Sequence, residues 1–222
     1  MIIDALEWLG HSGFRLGVRG GTATRPATVY IDPYRVGGGP RADLILITHG
    51  HYDHFSLQDI ERLRHDGTWL VAPAAVAERL DGRVLSVAPG ELLAPDGLRG
   101  VEVRALAAYN TSKRDDEGRL FHPPEAGWVG YELNVWGERV YHAGDTDVVP
   151  EMDSVVGCDV ALLPVSGTYV MTAAEAAEAA RRIAPQVAVP MHWGEHIGTR
   201  DDAEELARLA PGDVRILEPV AR

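Results

Sequence analysis

The chain has 222 residues, of which 45% are hydrophobic, enough to bury a substantial core, and residues 1–222 read as one domain. A formal net charge of -12 excludes a broad nucleic-acid-binding surface, because neutralising several phosphates needs a basic stripe that is absent. The single cysteine, Cys158, excludes an intrachain disulfide; the opening Met1-Ile2-Ile3-Asp4-Ala5-Leu6-Glu7 has no basic leader and no later stretch is long and apolar enough to span a bilayer, so a cytoplasmic protein without membrane contact is expected.

The first third predicts strands at Ile2 to Trp8, Gly13 to Val18, Ala27 to Ile31 and Asp43 to Ile47, each rich in β-formers or alternating. The last delivers the chain to His49. Ser56, with an acid at Asp59, then opens a helix continuing through Ile60 and Leu63. Strands follow at Trp69 to Val71 and Val84 to Val87, flanking a short helix near Ala74 to Leu80, and again at Val101 to Leu106 and Val129 to Val135. Between the last two lies a long loop, Ala108 to Trp128, whose length and aromatic content mark it as ordered and functional. The C-terminal part predicts strands at Arg139 to His142, Val160 to Leu163, Val187 to Pro190 and Val214 to Leu217, with helices at Thr172 to Ile183 and Arg200 to Leu209; Thr172 and Glu175 form a capping box. Many strands followed by mixed α/β elements imply two sheets with helices packed outside, an α/β fold of the αββα four-layer sandwich type.

The chemistry concentrates in His49-Gly50-His51-Tyr52-Asp53-His54, at the strand-to-helix loop. His49 and His51, two apart on an extended strand end, point to one side, and Asp53 and His54 follow in the turn. Imidazole and carboxylate donors without thiolates suit Zn²⁺, Mn²⁺ or Fe²⁺ in an open, catalytic site rather than a closed structural one. Two distant segments have the same layout: Val140-Tyr141-His142-Ala143-Gly144-Asp145-Thr146 places an acid one glycine turn beyond a strand, and Val187-Ala188-Val189-Pro190-Met191-His192 places a histidine just past another. Strand ends on one edge of a sheet are where such remote donors converge.

These motifs, His-x-His-x-Asp-His at 49–54, Ala-Gly-Asp-Thr at 143–146 and Met-His-Trp-Gly at 191–194, make the whole chain resemble the metallo-β-lactamase fold hydrolases, with Trp8-Leu9-Gly10-His11 and Ile31-Asp32-Pro33 also fitting. Within that superfamily it is most similar to the ascorbate 6-phosphate lactonase-like group. The resemblance implies that His49 and His51 hold one divalent metal and that Asp53, His54 and His192 hold a second. It also implies that Asp145 bridges the two and that a metal-bound hydroxide is the nucleophile, with Asp53 and Asp145 as the catalytic carboxylates. The chain departs from the superfamily pattern at Ala108-Tyr109-Asn110, where a third histidine of the first site is usual. Either Asn110 ligates through its amide oxygen, or His122 folds back to complete the site, or only one metal binds tightly; an imidazole is the better ligand, which favours His122.

Lys113, the only lysine of 21 basic residues, lies in the same loop with Arg114, and two readings stand side by side: binding an anionic substrate group, or pairing with the neighbouring Asp115, Asp116 and Glu117. Asn110, Lys113 and His11 are the candidate substrate contacts. His11 and His142 are expected near the site as ligand-supporting or substrate-facing groups, or as satisfied core histidines. Asp32 is a candidate to orient a ligand histidine or to serve as a plain turn residue before Pro33, His196 to line the mouth, and His65 to be exposed. Cys158 is expected to be a small buried hydrophobe.

The reading is a metal-dependent hydrolase, with two divalent ions, attacking an ester, lactone, amide or phosphoester of a small-molecule substrate, anionic ones included. A phosphodiesterase or nuclease is the alternative that the charge disfavours. A di-iron redox enzyme lacks room for a flavin domain, and a non-catalytic module is at odds with the near-complete ligand set. A homo-oligomer is left open.

Overall fold

The computed structural model describes residues 1–18 and 26–220. The chain opens with a short 3₁₀ turn, Ile2–Ala5, in place of the first half of the expected strand, so that β1 runs over Leu6–Gly10. β2 (Gly13–Val18), β3 (Ala27–Ile31), β4 (Leu44–Leu46), β5 (Trp69–Pro73) and β6 (Arg83–Val87) complete one sheet in the order β1-β2-β3-β4-β5-β6. The second sheet holds β7 (Leu92–Leu93), β8 (Val101–Ala107), β9 (Val129–Val135), β10 (Glu138–His142), β11 (Val160–Pro164), β12 (Val187–Met191) and β13 (Asp213–Val214), ordered β13-β12-β11-β10-β9-β8-β7. The final strand is shorter than expected, pairing only at Asp213 and Val214 against β12.

The run Leu44-Ile45-Leu46-Ile47 shows how period-two alternation builds the layers. Leu44 and Leu46 join the apolar core that contains Phe14, Leu16, Val103, Leu133 and Leu162 from both sheets. Ile45 and Ile47 face the other way, onto Ile60 and Leu63 of helix α1 (Leu57–Leu63) and Val76 of helix α2 (Ala74–Ala77). On the far side, α3 (Ala173–Ile183) buries its alanine face, Ala176, Ala177, Ala179 and Ala180, and packs on β11 and on α4 (Arg200–Leu209). The result is the expected αββα layering. Ser56 caps α1 by accepting from the Asp59 amide, and Thr172 with Glu175 closes the capping box of α3.

Strand direction places the site. β3, β4 and β5 are parallel, as are β10, β11 and β12; β1 and β8 are each separated from these sets by one antiparallel neighbour and so run the same way. The carboxyl ends of β1, β3, β4, β8, β10, β11 and β12 therefore share one edge, where open α/β sheets bind ligands. Three hydrogen bonds lock the sheets together there: Tyr131 Oη donates to Ile47 O (2.8 Å), the Val129 amide to Thr48 O (3.1 Å) and the His192 amide to His11 O (2.9 Å).

Candidate metal centre

His11 follows β1, Asp32 follows β3, and His49 to His54 follow β4; Asp145 lies past β10, Ser166 past β11 and His192 directly after β12. The turns that aim these side chains are unusual. His11 (φ 51°), Asp32 (φ 44°) and His192 (φ 59°) all adopt the left-handed region that non-glycine residues rarely enter, a conformation held only where surrounding structure over-determines it. Gly144 (φ 67°) is needed beside Asp145, because a Cβ there would stand 2.8 Å from Val129 O.

The donors form two groups. Ligand atoms of His49, His51, His122 and Asp145 all lie within 4.8 Å of one another, and so do those of His11, Asp53, His54 and His192. Asp145 stands between them: Oδ2 is 3.2 Å from His122 Nε2, 3.1 Å from His192 Nε2 and 3.9 Å from His49 Nε2, and Oδ1 is 3.3 Å from His54 Nε2. His49 Nε2 and His51 Nδ1 approach to 3.1 Å.

The outer ring nitrogens are already engaged. His49 Nδ1 lies 2.9 Å from Thr48 Oγ1, whose own proton goes to Asp32 Oδ2 (2.6 Å), so the imidazole donates and leaves Nε2 as a lone pair. His54 Nδ1 pairs with Asp32 Oδ2 (2.8 Å), His122 Nδ1 with Asn110 Oδ1 (2.9 Å) and His192 Nδ1 with Ser166 Oγ (2.8 Å). Such partners fix tautomer and ring orientation in metal-ligating histidines. Inside the ring of donors, the buried His54 Nε2, His122 Nε2 and Asp145 Oδ1 have no hydrogen-bond partner. Buried polar atoms are rarely left unmatched, and these converge on one space between the two groups, so the donor set fits divalent cations.

The electrostatics agree. Burial lowers His49 well below the ordinary histidine range, which keeps it neutral and able to ligate. Burial also works to raise Asp145, but His192, His54 and His122 outweigh it and hold the carboxyl well below its usual range. Asp53 behaves alike: against burial, the His11 hydrogen bond (2.9 Å) and His54 keep it ionised. Burial opposes charge on His54, but Asp145 and Asp32 raise it well above the ordinary range, so a cation taking Nε2 displaces a proton.

Comparison with known proteins fits this constellation. The family described as "Beta-lactamase superfamily domain" matches residues 23–193. A UPF0173 metal-dependent hydrolase of Methanopyrus kandleri is 32% identical over 96% of this chain and 96% of its own length. The chain belongs to this superfamily, and to its UPF0173 metal-dependent hydrolases. A putative metal-dependent hydrolase from Parabacteroides distasonis superposes with a TM-score of 0.78 at 31% identity, covering 96% of this chain and 93% of that one. Igni18, a metallo hydrolase from Ignicoccus hospitalis, gives 0.75 at 26% identity, covering 96% and 94%.

Within this UPF0173 chain, the loop residues part company. His122 is buried, faces the centre and belongs to the first donor group. Asn110 does not act as a donor to that group: its Oδ1 accepts from both the His122 amide (2.9 Å) and the His122 ring, and its Nδ2 donates to Asp147 Oδ1 and Tyr169 O. Lys113 does not line the pocket in front of the centre. Its Nζ donates to both Glu175 oxygens (2.8 and 2.7 Å) and sits 3.8 Å from Asp147, because the capping carboxylate of α3 lies directly opposite it. That differs from both expectations, an anion contact or pairing within its own loop. His11 is closer to the chemistry than a substrate contact, since it stands in the second donor group against Asp53.

His142 is a satisfied core histidine, with Nε2 donating to Ser12 O and Nδ1 accepting from the Gly144 amide. His196 stands at the pocket rim, bonded to Tyr34 Oη (3.1 Å), and His65 lies apart with its side chain 39% exposed. Asp32 supports His54 as expected. Ser166 escaped sequence reading, although its position just past the end of β11 is the same signal that marked His192. Phe121, Tyr169 and Asp147 escaped too, because nothing local distinguishes them. No helix among the described residues is long and apolar enough to cross a membrane.

Proposed function

We propose that this metal-dependent hydrolase binds two divalent cations, Zn²⁺ or Mn²⁺ with Fe²⁺ as a third candidate, and cleaves an ester, lactone, amide or phosphoester of a small molecule. The observation that carries the reading is Asp145, buried between two groups of donors, with its own Oδ1 and the inner nitrogens of His54 and His122 left without a hydrogen-bond partner. His49, His51 and His122 would hold one ion, Asp53, His54 and His192 the other, and Asp145 would contact both. Ions held there would lower the pKa of bound water toward about 7 and polarise a scissile carbonyl or phosphoryl oxygen.

The chain's own residues do the rest. Asp32, Thr48, Asn110 and Ser166 hold four imidazoles in the ligating orientation, and His11 fixes the Asp53 carboxylate. The buried position of His49, His54, His122 and His192 keeps bulk water from the inner nitrogens. A lactonase-like activity falls within this reaction class. It is one arm of the test.

Metal content of chelator-free protein, with a hydrolysis screen of lactones, esters, amides and phosphoesters, tests the reading. About two ions per chain and turnover of at least one class are expected, with Asp145→Ala losing roughly 10²-fold or more in kcat/KM. No bound metal and no turnover after reconstitution with Zn²⁺ or Mn²⁺ would overturn it.

A further inference from the structure

The pocket before the metal centre has a volume of about 330 Å³, the scale of a small-molecule site. Its metal-facing side is made of donors already described. The remainder is Tyr52, Phe121, Tyr169, His196 and Ile197. Phe121 and Tyr169 meet edge to face with centroids 4.8 Å apart, while the Tyr52 ring lies 5.9 Å from His196 and 6.1 Å from Tyr34. Tyr52 and Tyr169 are 66% and 40% exposed, so these large aromatic surfaces stand at the entrance with solvent as a neighbour.

Among the described residues, no lysine or arginine lines this pocket. The nearby cations are matched elsewhere: Lys113 by Glu175, Arg35 by Glu195 and the face of Tyr34, and Arg119 by Asp115 and Glu117. A neighbouring cavity that shares Phe121 has Arg114 and Arg119, but Asp115 and Glu125 stand beside them.

We infer that the pocket selects substrates whose non-reacting part is uncharged and apolar, a planar aromatic group foremost, and rejects those carrying a carboxylate or phosphate away from the reacting bond. A second anion placed between Phe121, Tyr169 and Ile197 loses water and gains no lysine or arginine partner. An aromatic ring there gains edge-to-face and stacking contacts instead. The inference rests on the hydrolase reading for the reacting bond, but the pocket's preference can be measured without turnover.

The test uses the full chain loaded with Zn²⁺ and three inert ligands that share one metal-binding head: acetohydroxamate, benzohydroxamate and 4-carboxybenzohydroxamate, titrated calorimetrically. Benzohydroxamate is expected to bind roughly tenfold tighter than either of the others. Phe121→Ala should remove most of its advantage over acetohydroxamate. Ile197→Lys should erase most of the penalty on the carboxylated ligand. Equal or tighter binding of the carboxylated ligand overturns the inference, as does failure of benzohydroxamate to bind or unchanged ratios in both variants. Discrimination among hydroxamates without turnover of any ester, lactone, amide or phosphoester would uphold this inference while removing the hydrolase reading. Turnover without discrimination would do the reverse.

Discussion

Asn110 stands near where the superfamily pattern has a ligand, yet it spends its amide oxygen on His122, twelve residues on, through both the backbone and the ring. The carboxamide thus acts by orienting an imidazole. Asn110→Ala should leave the His122 ring without its acceptor and lower metal affinity about 10–100-fold, read by competition with a chromophoric chelator. Wild-type affinity in that variant would show that packing alone holds the ring. Cys158 makes a contrasting residue-scale case: it is fully buried, and burial pushes its thiol up to about 12. Its neutral form is favoured in the folded chain, a contribution intact below the ordinary thiol pKa and lost as pH rises from there toward about 12. A thiol reagent at pH 8 should therefore label native protein only at the rate of unfolding and denatured protein at once.

At the scale of elements, the decisive piece is the segment between β8 and β9. It is fastened from outside itself. Asp147, past the end of β10, accepts from the amides of Thr111 and Ser112, from both of their hydroxyls and from Asn110 Nδ2, and Lys113 reaches across to Glu175 at the start of α3. His122 is in place because this fastening is. Asp147→Ala should strand two backbone amides and cost on the order of 1–3 kcal/mol. Limited proteolysis should then cut around Arg114 and Arg119 faster than in wild type, with metal retention falling in parallel. An unchanged cleavage pattern would mean that the aromatic contact of Phe121 with Tyr169 suffices to hold the loop.

For the whole molecule, the metal centre is a seam. His11, Asp32 and the 49–54 turn come from one sheet, while His122, Asp145 and His192 come from the other, and the two are joined at the same edge by the His192 amide to His11 O. Ions shared by both groups would tie the sheets together, so their binding would also be folding free energy. Chelation should lower Tm; at free metal of about 100 times Kd the stabilisation lost is roughly 2.7 kcal/mol. Differential scanning calorimetry with and without chelator measures it, and an unchanged Tm would mean that the seam is held by the inter-sheet apolar core alone.

Much of this was legible along the chain because it is local. Alternation in Leu44 to Ile47 carries the layering, a capping residue sets where α1 and α3 begin, and four donors crowded into six residues announce the centre, with Asp145 and His192 marked by their places after apolar strands. What the sequence could not decide depends on contacts between remote residues. Whether Asn110 or His122 faces the ions turns on a hydrogen bond across a loop, and whether Lys113 meets substrate turns on where the first turn of α3 comes to rest, 62 residues later. His11 joins the second donor group through a left-handed turn whose carbonyl is held by His192 of the opposing sheet as well as by Trp8 of its own strand. Local patterns determined the elements and most donors; tertiary packing alone decided which side chains converge, because such convergence comes from opposing sheets rather than from spacing within either one.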